Sequence, residues 1–237
     1  MNDNAQSGGL EPTPPNHPPN DQARTRPLSS TQERKLVEYL EERLLEVTRN
    51  FKKRSHPSTT LPSLSLYLTA THPLLALILQ IPPVYPSSYL RTSLLLRLTG
   101  EVLSSIIGYV PGASTLAQLL AWLDDLDRGW LTVLRQQAWD PAEHVGVDVD
   151  TLNDSDSSRS TPISQTDRTR LRSMLIAGTD QMEEWLSGMD TPEQDFRSAL
   201  ETLGLQQSFD DLFTRTLAEM GSLDGSMNDP KGMESTC

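Results

Sequence analysis

The sequence predicts an all-α protein, an irregular helical bundle of about five to seven helices with disordered N- and C-terminal tails. Three observations carry that expectation. Apolar residues recur at three- and four-residue spacing along the longest segments. Serine or threonine followed three residues later by glutamate or glutamine opens two of them. Glycine and proline mark most of their ends. With 237 residues, 36% hydrophobic and 22% charged, the chain is long enough for one domain with appendages.

Five stretches follow from composition. Residues 1–29 are rich in proline, glycine and polar side chains, bury almost nothing and are expected to be disordered. Residues 30–145 form the helical core, with a proline-interrupted uncharged segment inside it. Residues 146–163 read as an acidic, serine-rich linker, 164–222 as acidic C-terminal helices, and 223–237 as a second disordered tail.

The first helix starts near Ser30, where Ser30 and Glu33 match a capping box. Leu36, Val37, Leu40, Leu44, Val47 and Phe51 then share a stripe, with Glu41, Glu42 and Arg43 largely off it. That stripe needs a cover, either the domain core or another chain. Leu36, Leu40, Leu44, Val47 and Phe51 are therefore candidate interaction residues.

Between Pro57 and Leu90 no residue is formally charged. Leu74–Ile81 is the most apolar window, but prolines at 73, 82 and 83 bracket it. A bilayer span needs about 20 apolar residues, and the next window, Tyr89–Ile107, contains Arg91, Arg97 and Glu101. A buried helix pair is the preferred reading, with short helical turns separated by prolines over residues 60–73 and a short strand there as the alternative.

Residues 88–108 give a second helix whose Leu90, Leu94, Leu98, Val102 and Ile106 are spaced by four. Leu95, Leu96, Leu103 and Ile107 widen its apolar surface enough to suit a central position. Gly108 and Pro111-Gly112 turn the chain. After Ser114, Leu116, Leu119, Leu123, Leu126, Trp130 and Leu134 define the face of a third helix, closed by Trp139-Asp140-Pro141. Short connections make the second and third helices antiparallel neighbours. Further on, Arg168–Leu186 is helical, Thr191 and Gln194 match another capping box, Gly204 breaks the chain, and Ser208 opens a last helix with Asp210 and Asp211 in its first turn.

Few residues carry a pattern that points to chemistry. His17, His56, His72 and His144 lack metal-ligand spacing, no phosphate loop or nucleophile elbow occurs, and the one cysteine, Cys237, forms no intrachain disulfide. No cofactor or metal is expected. Asp124, Asp125 and Asp127 read as a solvated helix face, and His144 beside Glu143 as a surface pair. Core packing is the plainer use of Trp122 and Trp130. Tryptophan also anchors interfaces, which makes both interaction candidates. Ser160 and Thr161, in the serine-rich linker near arginines, are candidate phosphorylation sites; bare residues in modification maps of native protein would count against them.

The formal net charge is -12, and residues 121–237 hold 23 acidic against 9 basic side chains. Such a balance argues against binding to a nucleic-acid backbone. The local basic patch Arg49, Lys52, Lys53 and Arg54 suits a helix C-terminus. The opening residues lack a secretory pattern, so cytoplasm or nucleus is expected. The sequence thus points to a non-enzymatic helical scaffold or adaptor, a subunit of a larger assembly with protein partners. A peripheral or partly inserted membrane protein is the first alternative, and a helical enzyme the second.

Overall fold

The computed structural model describes residues 25–149, 163–189 and 195–227. Four long helices come first: α1 (Ser30–Lys52), α2 (Leu64–Leu79), α3 (Ser87–Ile106) and α4 (Ala113–Leu134). A two-stranded antiparallel hairpin follows, β1 (Ala138–Asp140) with β2 (Val145–Val147). Then come α5 (Gln165–Ser187), α6 (Phe196–Thr202), the one-turn α7 (Gln206–Asp210) and α8 (Thr214–Met227). Among the described residues the chain is therefore a mostly helical bundle, as expected, with one small sheet that was not.

Helix starts follow backbone chemistry. Ser29, not Ser30, caps α1, and its capping-box partner is Gln32. The motif occurs in both registers, and the box one residue upstream satisfies the amides of Ser29 and Gln32 in place of those of Ser30 and Glu33. Ser63, Ser164 and Asp195 cap α2, α5 and α6 in the same way. The expected box at Thr191 and Gln194 lies outside the described residues.

Proline does not break the uncharged segment into turns. Helix α2 runs through Pro73 without interruption. Proline costs a helix interior one hydrogen bond and a steric clash. Here Leu68, Thr71, Leu74, Leu75, Ile78 and Leu79 are all buried around it, each apolar side chain stabilising the fold by about 2 kcal/mol. Burial wins over propensity.

One hydrophobic core joins all the long helices. Leu98, Val102 and Ile106 from α3 and Leu123, Leu126 and Trp130 from α4 are fully buried, and Leu171 and Leu175 of α5 and Phe213 and Met220 from the last segment share that core. Trp130 Nε1 donates to Thr99 Oγ1 at 3.0 Å, so the largest buried ring also satisfies its polar atom. Two glycines permit close approach. A Cβ at Gly129 would lie 2.9 Å from Leu79, and one at Gly178 would lie 2.8 Å from Leu103. These are the contacts of α4 with α2 and of α5 with α3.

Helix directions follow from side-chain pairs. Glu33, Glu41 and Thr48 of α1 meet Ser87, Arg97 and Glu101 of α3 in rising order, so α1 and α3 are parallel. Contacts between Gly100 and Met174, and between Leu103 and Gly178, rise together as well. Helices α1, α3 and α5 thus run side by side in one direction, with α3 in the middle.

The last segment breaks where sequence suggested one helix. Ser208 lies inside α7; Asp210 ends that helix and Asp211 is its C-cap, not a first-turn residue. Phe213 then takes φ 57°, a backbone state costly for an aromatic residue, and α8 begins at the next position. Burial of the Phe213 ring holds that turn in place.

Candidate functional site

The residues expected to meet a partner are mostly used inside the chain. Leu40 and Leu44 are fully buried, and Leu36, Val47 and Phe51 pack against the core at its margin. Phe51 packs at a tilt against Tyr67 and Tyr109, at centroid distances of 5.9 and 5.6 Å. The cover of the α1 stripe is this chain's own core. Trp122 and Trp130 are buried as well, although Trp122 Nε1 has no hydrogen-bond partner. Ser160 and Thr161 lie outside the described residues.

The aspartates of α4 do not form a solvated face. Asp127 is buried, and its Oδ1 accepts hydrogen bonds from the Thr216 backbone N–H at 3.1 Å and the Thr216 hydroxyl at 2.6 Å. Thr216 is the third residue of α8. A carboxylate there satisfies an amide that the helix leaves orphaned and faces the positive end of its dipole. Phe213, with its apolar side chain, cannot supply that acceptor. Asp127 therefore caps α8 from another helix. Burial raises its carboxyl above the usual range despite the Thr216 bonds and the nearby Arg215. Its Oδ2 accepts no hydrogen bond and faces Arg215 Nε at 3.7 Å. Asp124 meets Arg215 at 2.5 Å and Arg128 at 2.8 Å.

Asp125 serves the hairpin instead. Its two oxygens meet His72 Nε2 at 2.9 Å and His144 Nδ1 at 2.8 Å. The two imidazoles stack at 6.3 Å, and Trp139 of β1 lies edge-on to His144 at 5.9 Å. His144 sits between the strands at φ 53°, a state more open to histidine than to most residues. The expected surface pair of His144 with Glu143 is thus replaced by a latch joining α2, α4 and the hairpin. Both rings remain about two-fifths exposed. Among the described residues no group of three or more His, Cys, Asp or Glu side chains is placed to hold a metal ion.

Arg91, which interrupts the apolar pattern of α3, is buried. Its Nη1 donates to the Gln137 carbonyl at 2.8 Å, while Nε and Nη2 have no hydrogen-bond partner. Burial pulls its guanidinium down to about 10. The bond ties α3 to the residue that enters β1.

Among the described residues, the outer stripe of α3 is one surface that no other helix covers. A groove of about 720 Å³ runs along it, its floor on α3 formed by Tyr89, Thr92, Ser93, Leu96, Gly100 and Ser104. Arg97 and Glu101 edge it towards α1, where they pair with Glu41 and Thr48. Asp167 and Arg170 edge it from α5. From Tyr89 to Ser104 the floor is about 22 Å long at 1.5 Å per residue. At its upper end Tyr85 and Tyr89 pair edge to face at 5.8 Å and are 77% and 52% exposed. A second groove of about 700 Å³, lined by Val37, Pro86 and Leu90 among others, meets the same turn of α3 from the α1 side.

No described helix is long and apolar enough to cross a membrane. The chain matches no family model, no curated protein and no solved structure.

Proposed function

We propose that this chain is a non-enzymatic helical scaffold or adaptor that takes its place in a larger assembly by binding a protein partner along the outer stripe of α3. One observation carries the reading. The middle helix of the α1, α3 and α5 layer leaves its outer face open, and that face is a groove with small residues on the floor and charges along both edges. Ser93 and Ser104 are small and let a partner's backbone approach closely, and Arg97, Glu101, Asp167 and Arg170 supply a polar rim. A groove with polar edges suits a helix or an extended segment. The exposed tyrosine pair at one end offers the rigid aromatic area on which interfaces concentrate their binding energy.

The partner, a protein, meets this groove and not the apolar helix faces, because those faces pack into the core. The test is to compare tagged full-length protein with its Ser93→Arg variant in cells of origin. Ser93 is exposed, so arginine there fills the groove while leaving the core alone. The intact chain is expected to co-purify with a stoichiometric partner that the variant loses at equal expression and equal thermal stability. A monomeric chain, or a partner retained equally by both proteins, overturns the reading.

A further inference from the structure

We infer that the end of the bundle where α1 and α3 stop docks on an anionic membrane surface. The turn between α3 and α4 sets Ile107 and Val110 into the lipid, and the cations that close α1 hold the headgroups. This surface is separate from the α3 groove and its protein partner.

The fold joins two stretches that are far apart in sequence. Arg54 Nε donates to the Gly108 carbonyl at 2.6 Å, and the Phe51 ring lies against Gly108 so closely that a Cβ there would meet it at 2.6 Å. Tyr109 is buried, its hydroxyl donating to the Leu61 carbonyl at 3.1 Å and its own carbonyl accepting from Trp185 Nε1 at 2.7 Å. The turn is thus fixed from three sides, yet Ile107 is 41% exposed and Val110 88%. Single exposed apolar residues are ordinary; here they stand beside a set of free cations. No Asp or Glu occurs between Glu46 and Glu101. Arg49, Lys52 and Lys53 are exposed and meet no carboxylate among the described residues. Lys52, Lys53, Ser55, His56 and Ser58 line a hollow of about 450 Å³.

Charge and apolar surface together select the occupant. Binding at a membrane interface grows with the apolar area inserted and with attraction to anionic lipids, and each Lys or Arg near such a surface strengthens it roughly fivefold. A soluble polyanion would use the cations but leave Val110 in water, whereas a lipid surface takes both. The chain's net charge of -12 does not forbid the contact, because salt confines the lipid field to about 8 Å. Glu183 and Glu184 of α5 reach the same end, but across α3 from α1, and Glu183 pairs with Arg197. The α1 edge therefore faces the lipid and the acidic side faces away.

The test sediments the full chain with vesicles of phosphatidylcholine alone and of phosphatidylcholine mixed with phosphatidylserine. Binding should be at least about tenfold tighter to the mixed vesicles and should weaken as salt is raised. Lys52→Glu/Lys53→Glu should weaken it by about tenfold or more, and Val110→Asp should weaken it severalfold while keeping its salt dependence. Arg34→Glu/Lys35→Glu makes the same change of net charge about 27 Å away along α1 and should bind as the wild type does. All the replaced side chains are exposed, so the fold is kept. Absence of binding to the mixed vesicles overturns the inference, as does equal binding to both kinds. Equal loss in the Arg34→Glu/Lys35→Glu variant overturns it too, because binding then follows net charge alone. A loss in the Lys52→Glu/Lys53→Glu variant with none in Val110→Asp assigns the cations to a soluble anion and also overturns it. None of these residues lines the α3 groove, so this test and the one with Ser93→Arg fail separately.

Discussion

The aspartate run of α4 and the outer stripe of α3 look alike on a helical wheel: each is a polar strip on an otherwise apolar helix. In the fold they are opposites. Asp124 and Asp127 are covered by α8, and Asp125 by the hairpin. Each carboxylate has donors from an element distant in sequence. On the α3 stripe, Ser104 bonds only to carbonyls in its own helix, and Arg97 and Glu101 reach sideways to α1. The α4 carboxylates lie under the elements that pair with them, whereas on the α3 stripe Ser93 and Ser104 stay exposed and only the edge residues Arg97 and Glu101 are paired, to α1. That difference marks the α3 stripe as the place where another molecule fits.

The comparison can be broken most severely through the core that supports both faces. Trp130 is fully buried and its indole N–H bonds Thr99. Trp130→Ala should cost about 3–5 kcal/mol through lost burial and the cavity left behind. Urea denaturation of the full chain measures it; a loss below about 1 kcal/mol would mean that α3 and α4 are not packed as described.

Next in size is the cap on α8. Asp127→Ala leaves the Thr216 amide without its acceptor and should cost about 1–3 kcal/mol. Asp127→Asn keeps an acceptor and removes a buried charge, so it should cost clearly less. The pH dependence separates the two effects. Asp127 has its carboxyl raised from an ordinary 3.8, chiefly by burial. The folded state then binds this proton more tightly than the unfolded chain does. The contribution is most favourable below the ordinary value and is lost as pH rises through the raised one. Measured relative to Asp127→Asn, wild-type stability should fall on going upward from about pH 4. A relative rise would show that the carboxylate is held by its partners more strongly than burial opposes it.

How much of this was legible follows from where the information sits. The stripes of α1, α3 and α4 are written at three- and four-residue spacing, and the helices are found there. A wheel shows which way Asp127 points but not what arrives to cover it, because Thr216 lies 89 residues away. The hairpin escaped because its strands are three residues long and its turn depends on His144 at positive φ. The break at Phe213 escaped for the same reason, since an aromatic residue carries no signal for a left-handed backbone. Pro73 misled in the other direction: a local penalty is plain in sequence, while the burial that outweighs it is tertiary. The α3 groove lay inside a helix marked as central, and only the three-dimensional order of α1, α3 and α5 exposes it.

A smaller effect sharpens the contrast at the hairpin. Asp125→Asn keeps a carbonyl acceptor but loses the charge shared by His72 and His144. Both rings are partly exposed, so solvent screens the pair and the cost should be about 0.5–1 kcal/mol. Loss of the latch should act locally. Amides of Ala138–Asp140 and Val145–Val147 should exchange faster while those at the centre of α4 stay protected. Equal acceleration in both places would mean that the hairpin is part of the global folding unit.

The smallest effect is expected where the surface is open, and that smallness is its value. Ser93→Arg and Ser104→Arg replace exposed residues on the groove floor without removing a bond between elements, so each should change stability by no more than about 0.5 kcal/mol. Polar positions on α4 and α3 would then differ severalfold in cost, the covered ones expensive and the open ones nearly neutral. A loss above about 1 kcal/mol for either serine variant would place that residue in a packed contact. The α3 stripe would then be part of the fold's own support, and the argument that it is kept for a partner would lose its physical basis.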